Sequence, residues 1–135
     1  MWLMTKHGFY SIVEKNKQTG EYHIRSRVRQ DLENLVQRVP LAGAKILDTK
    51  NADYAYRLIV GKEEVLALME FLGETLDYSN FKNKIAATED QEQKHHLYSQ
   101  IWGILSRAFG CYGEPGTLSS RPERLPTGTS RPRSS

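Results

Sequence analysis

The sequence has a single cysteine, Cys111, among its 135 residues. One thiol cannot form a disulfide within the chain, and no group of Cys and His residues has the spacing of a zinc site. The neighbouring His95 and His96 would point about 100° apart on a helix, so they cannot jointly hold a metal. These absences exclude a disulfide-stapled domain, and we expect a cytoplasmic protein with no metal and no cofactor.

Long apolar runs are also missing. No stretch approaches the about 18 uninterrupted apolar residues of a membrane helix. The apolar start Met1–Met4 is interrupted at once by Thr5, Lys6 and His7, so it lacks the apolar core of a signal peptide. We therefore expect neither membrane insertion nor export.

The common catalytic templates are absent as well. The ten glycines are scattered and form no phosphate-binding loop, and no Gly-x-Ser-x-Gly elbow occurs. No acidic residue lies within an apolar run that would single it out for a raised pKa. The sequence therefore indicates no particular reaction.

The excess positive charge lies in one segment. The chain has 19 basic and 16 acidic side chains, a net charge of +3, and Pro115–Ser135 carries four arginines and one glutamate, which accounts for all of it. This segment is rich in Pro, Ser and Arg and has few large apolar side chains. We predict one domain over residues 1–110 and a disordered tail over residues 111–135.

Three segments have the aromatic and β-branched composition of strands, namely Gly8–Val13, Tyr22–Val28 and Tyr54–Val60. The first two flank a turn-forming loop and form a hairpin. Helices are predicted from an N-cap at Asp31 to Val39, from Lys62 to a stop at Gly73, over residues 77–86, and over a long final segment, residues 90–109. The order ββαβααα predicts an α+β fold with a small, mainly antiparallel three-stranded sheet, whose third strand lies beside the first.

A symmetric hairpin would pair Ile12 with Ile24 and Ser11 with Arg25. One face of the sheet is then apolar, and Tyr54 is assigned to it. The other face gathers Phe9, Arg25, Arg27 and Arg57. Guanidinium groups beside an aromatic ring suit an anionic ligand, although a solvated face whose arginines pair with local acids is the plainer interpretation.

A second polar cluster is Asp77–Lys82. Asp77 is predicted to cap a helix, with Tyr78 and Phe81 packing inward. The alternative is that Asp77, Asn80 and Lys82 contribute to an anion site together with the arginines.

The final helix has a wider apolar arc than one sheet face requires. Its residues Tyr98, Trp102, Leu105 and Phe109 recur at helical spacing. A protein partner or a second copy of the chain is therefore predicted to bind there.

Five segments together resemble a family of small bacterial proteins for which no activity is established. They are Met1–Thr5, Gly8–Val13, Arg25–Leu32, Ala52–Arg57 and Asp77–Lys82. The similarity covers about residues 1–109. It implies a bacterial cytosolic protein and supplies no catalytic residues.

Two functions follow as hypotheses. The first is a non-catalytic binding or interaction module, which uses the sheet arginines for an anionic ligand or the last helix for a protein partner. Nucleic acid is one such anion, but it is not favoured because residues 1–114 carry no net charge. The second hypothesis is a small nucleic-acid-processing or nucleotide-directed enzyme that uses Arg25, Arg27, Arg57, Asp77, Asn80 and His95.

Overall fold

The computed structural model describes residues 1–110. Over these residues the chain forms five strands and four helices. The strands are β1 (Trp2–Thr5), β2 (Gly8–Asn16), β3 (Glu21–Ser26), β4 (Leu47–Asp48) and β5 (Tyr56–Val60). The helices are α1 (Arg29–Val36), α2 (Lys62–Glu74), α3 (Phe81–Ala87) and α4 (His95–Phe109), the last preceded by a 3₁₀ turn, Glu92–Lys94.

The α+β class and the antiparallel sheet are confirmed, but the sheet has five strands and not three. Its order is β1-β2-β3-β5-β4, and every neighbouring pair is antiparallel. The prediction that the third predicted strand lies beside the first is wrong, because β5 pairs with β3. The physical reason is that β1 folds back onto β2 and occupies the edge that β5 would have used.

A two-residue turn, Lys6-His7, joins β1 to β2 and is held by the Thr5 side chain. The backbone N–H groups of His7 and Gly8 donate to Thr5 Oγ1 at 3.0 and 3.1 Å, and this hydroxyl donates to the Gly8 carbonyl at 2.9 Å. Thr5 thereby satisfies the backbone groups that a tight turn leaves without ladder partners.

The predicted register of the second hairpin is confirmed at its centre, where Ser11 is opposite Arg25 and Ile12 is opposite Ile24. Nearer the turn the register shifts by a bulge, so that Asn16 and not Lys15 pairs with Glu21. Because side chains alternate along a strand, the confirmed register fixes which of them share each face.

One face of the sheet carries the core. Helix α1 contacts β2, β3 and β5 on this side, and α2 contacts β3. The side chains buried there come from both layers: Tyr10, Ile12, Ile24, Leu58 and Val60 of the sheet, with Leu32, Leu35, Val65 and Leu68 of the helices. Removal of these apolar groups from water is the main stabilising contribution to the fold.

All four helices differ from the predictions at a boundary. Helix α1 ends at Val36 and not at Val39, and α4 begins at His95 and not at residue 90. Helix α1 begins at Arg29, two residues before the predicted cap Asp31, which is instead buried in the first turn. Helix α2 continues through Gly73 to Glu74. Helix α3 begins at Phe81, and its N-cap is Asn80, whose side chain accepts from the Asn83 N–H, so the prediction that Asp77 caps it is wrong.

The chain divides into two compact units, Met1–Glu92 and the residues from Gln93 onward. The first holds the sheet with α1, α2 and α3, and α4 belongs to the second. The predicted domain over residues 1–110 stays a prediction, and the predicted tail, residues 111–135, lies outside the described residues. Among the helices of residues 1–110, none has both the length and the apolar character to span a membrane.

Candidate functional site: the arginine face of the sheet

One row of paired residues crosses all five strands on the face opposite the core. Trp2 pairs with Ser11, Ser11 with Arg25, Arg25 with Arg57, and Arg57 with Leu47. We call this side of the sheet the arginine face. The row places two guanidinium groups at its centre and an aromatic ring at one edge.

Each central arginine donates to a neighbouring side chain of the same face. Arg25 Nη2 donates to Ser11 Oγ at 2.6 Å, and Arg57 Nη1 lies 3.0 Å from His23 Nδ1. Because a guanidinium can only donate, Nδ1 accepts and His23 is neutral with its proton on Nε2. That Nε2–H donates to Glu21 Oε2 at 2.7 Å, so both ring nitrogens of His23 are engaged.

Tyr54 brings a third guanidinium to the site. The Cζ atoms of Arg25 and Arg27 lie 4.6 and 4.3 Å from the centre of its ring. This is cation–π geometry, and the ring is buried at 6% exposure. The assignment of Tyr54 to the apolar face is wrong, because β5 begins at Tyr56 and the Tyr54 ring lies against the two arginines.

The three arginines are not neutralised by local acids. Within residues 1–110, no carboxylate lies within 4.0 Å of Arg25, Arg27 or Arg57; the ion pairs formed there join other residues. The Nε atoms of Arg25 and Arg57 are also buried and have no hydrogen-bond partner in this part of the chain. Three positive groups are thus held together by neutral partners, an arrangement that favours a negatively charged ligand.

Two aromatic rings lie at the edge of this face. Trp2 is 72% exposed, and its ring meets that of Phe9 edge-on, with centres 6.2 Å apart and planes at 73°. Phe9 pairs with Met4, which is exposed, as is Ile59 on β5. The face therefore combines exposed apolar surface with arginines that form no ion pair with any acid of residues 1–110.

The structure does not bring the second polar cluster to the arginines. Asp77 Oδ1 lies 2.9 Å from Lys6 Nζ and 3.4 Å from Lys84 Nζ, and the hydrogen bond from Lys6 is the main cause of a lowered pKa at this carboxyl. Asn80 caps α3, and Lys82 lies in its first turn. Asp77 is thus ion-paired with Lys6 and Lys84, and Asn80 serves as the helix cap.

Beside this cluster lies a half-open groove of about 280 Å³. It is lined by residues of β1 and the turn that follows it, by the end of α2, and by Tyr78. The His7 ring lies at its margin, 4.7 Å from the Phe71 ring, and His7 Nε2 lies 3.0 Å from Thr75 Oγ1. Burial, followed by the nearby charges of Lys6 and Arg38, lowers the pKa of His7 to about 4.

In the second unit, α4 carries the predicted partner residues. Trp102, Leu105 and Phe109 are each about half exposed or more, whereas Tyr98 is buried. His95 is the first residue of α4. Binding of a partner at this helix stays a prediction.

The sequence predicts Phe9, Arg25, Arg27 and Arg57 on the arginine face. It does not predict Trp2 or Tyr54 there. The segment Trp2–Thr5 is apolar except for its last residue and shows no alternation of apolar and polar side chains, so its sequence does not indicate a strand. The spacing of Thr5 and Gly8 does indicate a strand there, because it leaves two residues for a hairpin turn.

Comparison of the chain with protein-family models, with curated proteins and with solved structures finds no match. The resemblance of the five segments to a bacterial family therefore stays a prediction. Within residues 1–110, no group of three or more His, Cys, Asp or Glu side chains is placed to hold a metal ion.

Proposed function

We propose that the protein is a non-catalytic binding module whose arginine face binds an anionic ligand. The observation that carries the proposal is the pairing of Arg25 with Arg57 at the centre of the sheet, with no carboxylate of residues 1–110 within 4.0 Å of either.

The geometry supports an anion for two reasons. Directly paired residues of an antiparallel ladder have β-carbons about 5 Å apart, so the two positive charges repel each other unless an anion lies near both. Each guanidinium has five N–H donors, and Arg25 and Arg57 each use one for a side chain of the face. The remaining Nη donors suit the paired oxygens of a phosphate or carboxylate.

The arginine face offers no specific support for the alternative hypothesis of an enzyme. The candidate general bases there are His23 and Glu21, which are hydrogen-bonded to each other, and Arg57 engages the second ring nitrogen of His23. The hydroxyl of Ser11 already accepts from Arg25. Binding rather than proton transfer is what these side chains are arranged to do.

The test is a titration of the full chain with inorganic pyrophosphate at low ionic strength, followed by amide and arginine side-chain NMR shifts. We expect saturable shifts at residues 23–27 and 55–59, which weaken as salt is added. Arg25→Gln/Arg57→Gln should abolish them. Arg38→Gln, which removes a charge from the turn after α1 and outside the face, should leave them unchanged.

Two results would contradict the proposal. One is an absence of shifts on the arginine face, and the other is a response of the double variant that equals the wild type. Arg57→Lys separates charge from geometry: it should weaken binding if the planar fork of the guanidinium matters, because lysine keeps the charge and loses the paired donors.

A further inference from the structure

The edge of the arginine face carries an exposed aromatic ring that a small anion bound to the arginines would not contact. Trp2 exposes 72% of its surface in an ordered strand, directly in line with Ser11, Arg25 and Arg57. An exposed tryptophan is unfavourable by itself, because burying a large aromatic side chain gains several times more free energy than burying a small apolar side chain. A ligand that covers the indole would recover that free energy.

The spacing of the row sets the size of such a ligand. Neighbouring strands lie about 4.8 Å apart, so Trp2 is roughly 10 Å from Arg25 and 14 Å from Arg57 across the sheet. A ligand that contacts both ends must therefore carry a flat ring at one point and negative charge at points two to three strands further along. A dinucleotide or longer strand has this pattern, because each flat base is attached to a charged backbone.

We propose that the anionic ligand of the arginine face is a single-stranded nucleic acid, with a base stacked on Trp2 and phosphodiester groups on Arg25 and Arg57. This inference rests on the proposed function and names its ligand class.

Single-stranded ligands are favoured over a duplex by the aromatic ring. In a duplex the base faces are stacked on one another and are not available to an indole, whereas an unpaired base offers its face. Trp2 is free to accept one, because its contact with Phe9 is a single edge-on contact. Binding through stacking and phosphates is tolerant of sequence, since every base has a π-face.

The charge balance predicts that binding is modest and sensitive to salt. Residues 1–114 have no net charge, so attraction comes from the local arginines. Each phosphate contact of a single strand contributes about −0.7 to the slope of log K against log salt concentration. Loss of Arg25 and Arg57 should therefore make the slope shallower by about 1.4.

The experiment measures the fluorescence anisotropy of labelled 12-nucleotide single strands, in DNA and RNA arms, titrated with the full chain over a range of salt concentrations. A duplex of the same length is the third arm. We expect both single strands to bind more tightly than the duplex. A preference for RNA or for DNA identifies the natural source of the strand.

Three variants test the stacking on Trp2 and the phosphate contacts of the arginines separately. Trp2→Ala should weaken single-strand binding roughly tenfold without changing the salt slope, and Trp2→Phe should restore most of it. Arg25→Gln/Arg57→Gln should reduce both the affinity and the slope. The matched controls are Leu66→Ala, an exposed apolar side chain on α2, and Arg38→Gln/Lys62→Gln, an equal loss of charge outside the face.

The inference is overturned if Trp2→Ala binds as tightly as the wild type, or if the duplex is preferred. It is also overturned if only pyrophosphate shifts the arginine face, an outcome that leaves the proposed function intact. If neither pyrophosphate nor an oligonucleotide binds, both proposals fail, and a protein becomes the remaining candidate for the exposed face.

Discussion

Gly8 lies directly against Asp31, so close that a β-carbon added to Gly8 would be 2.5 Å from the Asp31 β-carbon and 2.5 Å from its Cγ. The Asp31 side chain cannot easily give way. It is buried, accepts from the Phe9 N–H at 3.0 Å, and accepts from Gln91 Nε2 at 2.9 Å. This contact joins the start of β2 to the first turn of α1.

We therefore expect Gly8→Ala to lower the free energy of unfolding by at least about 2 kcal/mol, because a methyl group would force the strand and the helix apart. Urea denaturation followed by circular dichroism measures the change. Gly73→Ala is the matched control: a β-carbon at this position in α2 meets nothing within 4 Å, so stability should rise by about 0.5–1 kcal/mol. A Gly8→Ala protein as stable as the wild type would refute the close packing.

The same aspartate shows where local sequence patterns mislead. An acidic residue before an apolar helical pattern is typical of an N-cap, and Asp31 was predicted to be one. In the structure its oxygens bind groups from β2 and from Gln91, which lie far from it in the sequence. A local sequence pattern predicts hydrogen bonds between residues that are close in the sequence. It therefore could not predict that a buried carboxylate accepts hydrogen bonds from two distant segments.

The pairing of β2 with β3, in contrast, could be predicted from a local sequence pattern. The pairing of Ser11 with Arg25 follows from two alternating segments and the turn between them, and this pairing places the arginines on one face. The position of β5 beside β3 depended on the pairing of Trp2–Thr5 with β2, which took the competing edge. One short strand without visible alternation thus decided the order of the sheet.

The N-cap of α3 can be tested at Asn80, which caps the helix in place of the predicted Asp77. Its Oδ1 accepts from the Asn83 N–H at 2.9 Å, and this bond satisfies one of the free N–H groups at the start of α3. Asn80→Ala should cost about 1 kcal/mol and should speed hydrogen exchange at the Asn83 amide, whereas Asn80→Asp should be close to neutral.

The control for this cap is Asn83→Ala, which removes an exposed side chain and keeps the backbone N–H that the cap binds. It should leave the stability nearly unchanged. Equal losses for Asn80→Ala and Asn83→Ala would show that the helix start does not depend on the cap.

His7 predicts how stability depends on pH. The Thr75 hydroxyl donates to the Phe71 carbonyl at 2.8 Å, so His7 Nε2–H is the donor to Thr75 Oγ1. The pKa of His7 is lowered to about 4 from the ordinary 6.5, chiefly by burial. Between these values the unfolded chain binds the proton and the folded chain does not, so the stability from this group is complete above pH 6.5 and is lost as the pH falls toward 4.

The loss should be on the order of 1 kcal/mol, since water screens a half-buried ring. His7→Gln removes the titrating group and keeps an amide that can donate to Thr75. Urea denaturation at a series of pH values between 4 and 7 should therefore show a shallower dependence for His7→Gln than for the wild type. Parallel curves would mean that the ring is as well hydrated in the folded protein as in the unfolded chain, which the contacts with Phe71 and Thr75 contradict.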